Sequence, residues 1–420
     1  MVDKNLFLHD LAVVAIMKDE EHYVKEWIDY HLLAGADHFY IYDNDSTPEF
    51  KKILQPYIDA NIVTYTPYPG RARQYEAYND AFKRFKFDCR YMAFLDADEF
   101  LFPKNKPTIA GVVDEVLSTI PTAAALGVNW LGFGSNNLET ADFTRGVLDR
   151  FIKRAEKPDK HTKAVTNPRR IKFFLNPHFA IYYEGQFSFN EQKKIFFGAF
   201  SEPPTADKIV LHHYHFKSRE EYNIKIHRGS ADGTMGKSAE FFERRNERAN
   251  SVFDDGIVKY RDARKSALIP AGRGIDAIFA SKQINYPRLF NALAQNLFQT
   301  TIKWTPPNFF DGKIETFLTC LNVIPHLKDN FIDETAAKFF QEASLNAIHR
   351  TLYGKLTMAD MLLLLTEMPK ILKMKYPAVK NIRDICTQIV PQMMTTLRMM
   401  GKWQELNELD NTLNMLKSFN

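Results

Sequence analysis

The chain has 420 residues, 45% of them hydrophobic, 25% charged and 13% aromatic, with a formal net charge of +4. Disordered chains combine low hydrophobicity with high net charge, so this composition excludes a disordered protein and favours two or three folded domains. Nucleic-acid-binding proteins usually carry a larger and clustered basic excess, and we therefore expect no nucleic acid partner.

The first hundred residues alternate short apolar runs with amphipathic segments. Strands are predicted at 11–17, 38–42, 62–65 and 91–95, and helices at 21–33, from 49 onward and at 74–85. Strands separated by helices of this length predict a parallel sheet, whose ligands bind beyond the carboxyl ends of the strands. The polar clusters 18–20, 43–45 and 96–98 follow three of these strands directly. We therefore expect the three clusters to meet at one edge of the sheet.

Beyond residue 121 the pattern changes to short strands, and after residue 235 it changes to helices. The strands are predicted at 123–128, 130–135, 172–175, 179–183 and 209–216, and the helices at 286–300, 333–350 and 358–419. The charged stretch 149–166 is expected to be exposed, and Ser218 with Glu221 has the pattern of a capping box. We predict an α/β domain at 1–235, a helical linker at 236–285 and an all-α C-terminal domain at 286–420.

The cysteines and the apolar runs indicate the compartment. Cys89, Cys320 and Cys386 lie far apart and form no Cys-x-x-Cys pair, which argues against a disulfide framework and favours a reducing cytoplasm. The apolar run 11–17 is too short for a signal peptide, and no run approaches the roughly 20 residues of a membrane span. We predict a cytoplasmic protein without a transmembrane segment, with peripheral association at the inner membrane face as the alternative.

Asp96 and Asp98 form an Asp-x-Asp pair directly after the buried strand at 91–95. Extended backbone would direct both carboxylates to the same side. Two hard oxygen ligands suit Mg²⁺ or Mn²⁺, which usually keeps some of its water and shares phosphate oxygens. A solvated turn at the end of the strand is the ordinary interpretation, but the α/β context favours a metal site.

Two N-terminal segments allow both an ordinary and a functional interpretation. The segment 43–46 is typical of a turn or a helix cap, and it would equally suit hydrogen bonding to a nucleoside. Arg71 and Gln74 lie at the start of the helix at 74–85, and a helix N-terminus favours anions such as phosphate. An exposed basic turn is the alternative for this second segment.

The strand at 209–216 concentrates histidines near the end of the α/β domain. Alternation places His213 and His215 on one face of this strand. A lone histidine in a strand is more often structural than a ligand. Here, however, lysines and an arginine follow at Lys217, Lys225 and Arg228. This combination favours a site for a metal or for a diphosphate.

Separated motifs between residues 8 and 230 resemble a known family. They are, in chain order, Lys18-Asp-Glu20, Glu26-Trp27 with Tyr30-His31 and Gly35, Phe39-x-Ile-Tyr-Asp43, Phe94-Leu-Asp-Ala-Asp-Glu-Phe-Leu101, Trp130-x-x-Phe-Gly-Ser135, and His213-Tyr-x-x-Lys-Ser218 with Glu221-Tyr222 and Lys225. In this order they resemble the family-2-like glycosyltransferases, and most closely the group that includes family 92.

The resemblance implies a GT-A fold, which is a Rossmann-like nucleotide-sugar-binding domain, with a UDP-linked donor and Mn²⁺ or Mg²⁺. Matching positions assign Asp96 to the ribose and the metal, and Asp98 and His213 to the metal. Trp130 and Ser135 would face the sugar and the acceptor, with Phe133 beside Trp130 as part of a sugar platform. The implied donor-binding residues are Asp19, Asp43, Asp45, Arg71, Gln74, Asn79, Lys217, Lys225 and Arg228, of which the last three would hold the diphosphate.

The resemblance therefore predicts a hexosyltransferase that moves a hexose from a nucleotide sugar to a glycan or glycolipid acceptor, with inversion. Inversion requires a carboxylate that accepts the proton of the acceptor hydroxyl. Asp142 and Glu184 follow the metal motif and are the catalytic candidates, with Glu139 and Glu191 behind them. No spacing rule chooses among these four carboxylates.

Two other classes of protein are compatible with parts of this sequence. A sugar nucleotidyltransferase would need a Gly-rich loop after the first strand, where Lys18-Asp-Glu20 stands instead. A non-catalytic binding or assembly protein could use the Met- and Leu-rich stretch 358–374 as a partner surface, although such a stripe is also typical of a helix core. We expect the helical half to pack on the catalytic domain or to form a homodimer.

Overall fold

A computed structural model describes residues 2–228, 238–302, 314–354 and 356–419. The chain forms two compact units. The α/β unit comprises His9–Tyr182 and Gln186–Ile284, and the helical unit comprises Met1–Leu8, Tyr183–Gly185 and Asn285–Asn420. Of the helical linker predicted at 236–285, the described residues 238–284 belong to the α/β unit. The predicted α/β fold followed by an α-helical region is confirmed.

The strands of the α/β unit range from two to ten residues. They are β1 His9–Met17, β2 His38–Asp43, β3 Val63–Pro67, β4 Cys89–Phe94, β5 Glu99–Pro103, β6 Ala123–Gly132, β7 Lys153–Arg154, β8 Thr162–Thr166, β9 Ile171–Asn176, β10 Phe179–Tyr182, β11 Phe187–Phe189, β12 Ile195–Phe196, β13 Ile209–His213 and β14 Val252–Phe253. Its α-helices are α1 Val24–Leu33, α2 Pro48–Asp59, α3 Gln74–Phe85, α4 Ile109–Leu117, α5 Val147–Arg150, α6 Arg219–Arg228, α7 Ala239–Ala249 and α8 Gly256–Leu268.

The main sheet has the order β12-β11-β6-β8-β4-β1-β2-β3, and β13 pairs with both β6 and β5. Strands β4, β1, β2 and β3 are mutually parallel, and β13 is parallel to β6. Strand β1 is buried on both faces. Its residues Leu11 and Val13 belong to one apolar cluster, while Ala12 and Val14 belong to another. This two-sided burial explains the continuous apolar run in the sequence.

The expectation that 149–166 is exposed is wrong at Arg150 and Phe151 and for its last five residues. Thr162–Thr166 form β8, in which every residue is buried. This strand lies between β4 and β6 and is antiparallel to both. The misleading residue is Lys163, which looks like a solvated cation in the sequence but forms ion pairs inside the protein with Asp96 and Glu99.

The helical unit contains six long helices among the residues that the structure describes. They are α9 Tyr286–Ile302, α10 Ile314–Asn330, α11 Glu334–Thr351, α12 Met358–Ile371, α13 Pro377–Met399 and α14 Trp403–Ser418. The stretch predicted as helical at 358–419 is thus three helices. Pro377 stands at the first position of α13, where its missing N–H costs nothing. Gly401, with φ +69°, follows the end of that helix in the left-handed conformation that glycine favours.

The core of the helical unit is apolar. Each of the first five helices of this unit contributes at least one fully buried apolar side chain. Examples, in chain order, are Leu293, Phe317, Leu345, Leu363 and Ile382. The Leu and Met stripe at 358–374 is largely buried in α12, which fits the ordinary interpretation of a helix core. Across the described ranges, no helix combines the length and apolar character required to cross a membrane.

Candidate active site

The polar segments after β1, β2 and β3 lie together, as expected from the parallel sheet. The backbone N–H of Asp19 donates a hydrogen bond to Ser46 Oγ at 3.0 Å. The side-chain amide of Asn44 donates to the carbonyl oxygens of Tyr68 and Gly70 at 2.9 and 2.7 Å. Asp19 and Asp45 have positive φ angles of 50° and 61°. Asparagine and aspartate tolerate this region best among residues with a side chain, so the turns are defined by these residue types.

The carboxylates of this N-terminal group already have protein partners. Asp43 is buried and accepts hydrogen bonds from the Tyr65 hydroxyl and the Ser46 N–H. The Asp45 carboxylate accepts from the Gly70 N–H at 3.2 Å. The segment 43–46 therefore forms a turn, as its residue types predict. It also lies at the edge of the sheet where a nucleoside was predicted to bind.

Asp96 and Asp98 lie in the turn between β4 and β5, where they contact different partners. Asp96 accepts hydrogen bonds from the Gln74 amide at 2.7 Å and from Lys163 Nζ at 2.9 Å. Asp98 Oδ2 lies 2.5 Å from Lys225 Nζ, and Asp98 Oδ1 lies 3.6 Å from His213 Nε2. The backbone thus brings both residues to the same edge of the sheet but gives each carboxylate its own cation.

Three side chains are close enough to share one metal ion. One ligand atom each from Asp98, His213 and His215 lies within 4.8 Å of the other two. This spacing fits a single divalent ion, since metal–ligand bonds of about 2.0–2.3 Å place opposite ligands roughly 4–4.6 Å apart. One oxygen and two imidazole nitrogens suit Mn²⁺ better than Mg²⁺, which prefers oxygen ligands. His215 lies two residues beyond the end of β13, and the alternation predicted for 209–216 placed it on the same face as His213.

Asp98 is held in its charged form. Burial alone would raise the pKa of this carboxyl, but the charges of Lys225 and His213 outweigh burial and hold its pKa well below the usual range. A carboxylate that stays ionised is the form that binds a metal ion. The electrostatic surroundings of Asp98 are therefore those of a ligand.

The predicted diphosphate-binding cations lie on or before α6. Arg228 donates hydrogen bonds to the carbonyl oxygens of Lys18 and Asp19 and forms an ion pair with Glu20 at 2.6 Å. Lys217 is buried, with its ammonium over the ring of Tyr23, and burial lowers its pKa. Helix α6 therefore connects the end of β1 to the turn that carries Asp98.

Two buried charged groups beside Asp96 were not among the predicted site residues. Lys163 is 1% exposed, and its Nζ lies 3.4 Å from Glu99 Oε2. Glu99 is fully buried, and the same oxygen accepts the Asp96 N–H at 2.8 Å. Burial raises the pKa of Glu99 well above its usual value. Lys163 was missed because its strand was expected to be an exposed segment.

Two of the residues expected at the donor site are placed differently from Gln74. The side-chain amide of Asn79 donates a hydrogen bond to the carbonyl oxygen of Phe174 at 3.0 Å, and the side-chain oxygen of Asn79 accepts one from the Phe174 N–H at 2.9 Å. These two bonds join α3 to β9. Arg71 is exposed in the turn before α3. Gln74, in contrast, contacts the Asp-x-Asp pair through its hydrogen bond to Asp96.

Trp130 lies beside the proposed metal ligands. Ser135 and Phe133, which were predicted to face the sugar and the acceptor with it, are buried inside the protein. The Trp130 ring is 4.3 Å from that of His213, and within the described part of the chain nothing accepts a hydrogen bond from its buried indole N–H. Ser135 is buried and exchanges hydrogen bonds with Asn246. The expectation that Phe133 is part of a sugar platform is wrong, because this ring is fully buried in the core.

The four carboxylates considered as a catalytic base have different surroundings. Asp142 accepts hydrogen bonds from the N–H and hydroxyl of Thr144, which lower its pKa. Glu184 belongs to the helical unit and forms an ion pair with Lys402 at 3.1 Å. Glu139 is exposed and paired with Arg219. Glu191 is buried and accepts three backbone N–H groups at the start of β13.

Comparison with known proteins places the chain in a family. Residues 12–263 match the model of Glycosyltransferase family 92, which covers more than half of the chain. The chain therefore belongs to glycosyltransferase family 92. The match extends from β1 into α8 and includes the Asp-x-Asp turn, β13 and α6.

Individual relatives match smaller parts of this chain, at low sequence identity. A glycosyltransferase family 92 protein of Ricinus communis is 23% identical over 224 residues, which are 52% of this chain and 38% of the relative. The galactan β-1,4-galactosyltransferase GALS1 of Arabidopsis thaliana is 30% identical over 103 residues, 22% of this chain and 21% of the relative. The matches thus span about two fifths of these relatives or less. The structure of S. aureus TarS 1–349 in complex with UDP aligns over 81% of this chain and 89% of that chain, with 12% identity and a TM-score of 0.31.

Proposed function

We propose that the chain is a metal-dependent hexosyltransferase that moves a hexose from a UDP-sugar to a glycan or glycolipid acceptor, with inversion. The observation that carries this proposal is the group formed by Asp98, His213 and His215 at the carboxyl edge of the sheet. Membership of family 92 supports the reaction class, and the name of the Arabidopsis relative supports a hexose as the transferred group.

The protein's own residues divide the work of binding the donor. Asp98 and the two histidines would hold the ion, while Asp19, Asp43 and Asp45 surround the place proposed for the nucleoside. Lys217, Lys225 and Arg228 would bind the diphosphate, with Arg71, Gln74 and Asn79 along the border of the donor site. When bound, the ion would act as a Lewis acid that neutralises charge on the departing diphosphate.

The transfer step breaks one bond and forms another at the anomeric carbon. The oxygen of the acceptor hydroxyl attacks this carbon, the bond to the diphosphate oxygen breaks, and the hydroxyl proton passes to a carboxylate. Asp142 and Glu184 remain the proposed candidates for this base. Trp130, whose buried indole N–H lies beside the proposed metal site, is the residue that we place on the acceptor side.

Replacing Asp98 tests the metal site. We expect Asp98→Asn to lower metal-dependent release of UDP from a UDP-hexose by roughly 100-fold or more, because an amide oxygen carries no charge for the ion or the transition state. Mn²⁺ binding, measured by the loss of its free electron paramagnetic resonance signal, should weaken in the same variant.

Asp59→Asn is the matched control, since it makes the same chemical change at an exposed position of α2 that contacts Gln55. It should behave as the unaltered protein does. UDP release that is insensitive to EDTA, or that survives in Asp98→Asn, would contradict the metal-dependent reaction.

A further inference from the structure

The ammonium of Lys225 lies among the proposed metal ligands. Its Nζ is 2.5 Å from Asp98 Oδ2 and 3.2 Å from His215 Nδ1. A divalent ion bound to Asp98 would sit within a few ångströms of this ammonium, and the two positive charges would repel each other. Lys225 and the ion therefore cannot both keep this contact with Asp98.

The lysines that pair with Asp96 and Asp98 differ in how far their side chains are exposed to solvent. Lys163, the partner of Asp96, is 1% exposed and is fixed on β8 between Asp96 and Glu99. Lys225, the partner of Asp98, is 32% exposed. The cation of Asp96 thus has no path to solvent, whereas the cation of Asp98 can leave by rotation of its side chain.

The helix that carries Lys225 is anchored at both ends. At its start, Glu221 accepts hydrogen bonds from Arg150 and from the Tyr23 hydroxyl at 2.8–2.9 Å. At its end, Arg228 holds the carbonyl oxygens of Lys18 and Asp19. The backbone of α6 is therefore fixed, and a movement of Lys225 is confined to its flexible side chain, which has a four-carbon stem.

We propose that Lys225 is a displaceable counter-ion of the metal site, an inference that rests on the proposed function. Before the metal binds, the ammonium of Lys225 balances the charge of Asp98 and holds the Asp98 carboxylate near His215. The metal ion displaces the ammonium from Asp98. The freed side chain then contacts the diphosphate of the donor, so that one residue competes with the ion and afterwards binds the nucleotide.

Metal titration of Lys225 variants tests the competition. We expect Lys225→Met to bind Mn²⁺ at least about 5-fold more tightly than the unaltered protein when no nucleotide is present, measured by electron paramagnetic resonance. Lys225→Arg should bind Mn²⁺ much as the unaltered protein does, because it keeps a cation. Lys52→Met is the control for net charge, since Lys52 is 72% exposed on α2, and it should change nothing. Lys225→Ala is the second variant if Lys225→Met does not fold.

The same variants test the second half of the proposal. At saturating Mn²⁺, Lys225→Met should bind UDP at least about 5-fold more weakly in calorimetry. Mn²⁺ affinity equal to or below that of the unaltered protein would overturn the competition, and unchanged UDP affinity would overturn the contact with diphosphate. If the unaltered protein and Lys225→Met both fail to bind Mn²⁺, the metal site of the proposed function falls together with this inference. If the unaltered protein binds Mn²⁺ through Asp98, only the counter-ion role is at stake.

Discussion

Lys163 determines the balance of charge around Asp96. Its side chain is 1% exposed and contacts two carboxylates, Asp96 at 2.9 Å and Glu99 at 3.4 Å. Burial alone would lower the pKa of this ammonium, but Asp96 and Glu99 raise it above its usual value. Removing the ammonium would leave the fully buried Glu99 and the partly exposed Asp96 without their cation, which is the costly way to break a buried ion pair.

We therefore expect Lys163→Met to lower the free energy of unfolding by about 3–5 kcal/mol, measured by urea denaturation. Lys160→Met is the matched control three residues earlier. The Lys160 side chain is 49% exposed and pairs with Glu202 at 3.1 Å, so its loss should cost less than about 1 kcal/mol. Equal stability of the two variants would show that the Lys163 network contributes little to folding.

At this scale, the sequence could predict residues with local signals but not residues defined by distant contacts. Asp98 and His213 were predicted from their motifs, and both belong to the group of three side chains that are close enough to share a metal ion. Lys163 had no such signal, because its partner Asp96 lies 67 residues away. A charged side chain in the sequence normally indicates solvent, and the pairing that reverses this indication exists only in the fold.

Helix α6 is positioned by one buried carboxylate. Glu221 accepts two hydrogen bonds from Arg150, at 2.8 and 2.9 Å, and one from the Tyr23 hydroxyl at 2.8 Å. It also completes the capping box with Ser218 that the sequence predicted. Burial raises the pKa of Glu221, but the hydrogen bonds from Arg150 and Ser218 outweigh burial and lower it to about 2.

Because the pKa of Glu221 is lower in the folded chain than its usual value of 4.5, this carboxylate stabilises the fold above pH 4.5. That contribution is lost as the pH falls from 4.5 toward about 2. We expect Glu221→Gln to lower the free energy of unfolding by about 3–5 kcal/mol at pH 7, since it leaves Arg150 buried without its charge partner. Urea denaturation at pH 7, 4 and 3 should show this difference shrinking with pH.

Glu49→Gln is the control for Glu221→Gln, because Glu49 forms an exposed ion pair with Lys52. It should cost less than about 1 kcal/mol at each pH. A difference for Glu221→Gln that stays constant from pH 7 to pH 3 would contradict the assignment of the pH dependence to this carboxylate.

The predicted elements succeeded where strands and helices alternate locally and failed where a strand is inserted from a distant part of the chain. Strands β1 to β4 follow one another along the chain and were predicted, since each joins the next through a helix. Strand β8 enters between β4 and β6 from more than 60 residues after β4 and runs in the opposite direction. No periodicity within Thr162–Thr166 could indicate that position.

The residues of the proposed site are distributed unequally between the two compact units. Asp98, His213 and Lys225 belong to the α/β unit, as do the proposed nucleoside-binding carboxylates. Glu184 is the exception among the predicted site residues, because Tyr183–Gly185 belongs to the helical unit, where Lys402 is its partner. Removing residues 285–420 therefore tests donor binding without removing any of the proposed site residues.

We expect a chain that ends at Ile284 to bind Mn²⁺ and UDP with affinities within about threefold of the full chain, measured by calorimetry. The reason is that every residue proposed to hold the metal or the diphosphate lies in the α/β unit, which has its own apolar core. Circular dichroism of both chains shows whether the shortened one is folded. A folded shortened chain that fails to bind UDP would contradict the placement of the donor-binding residues in the α/β unit.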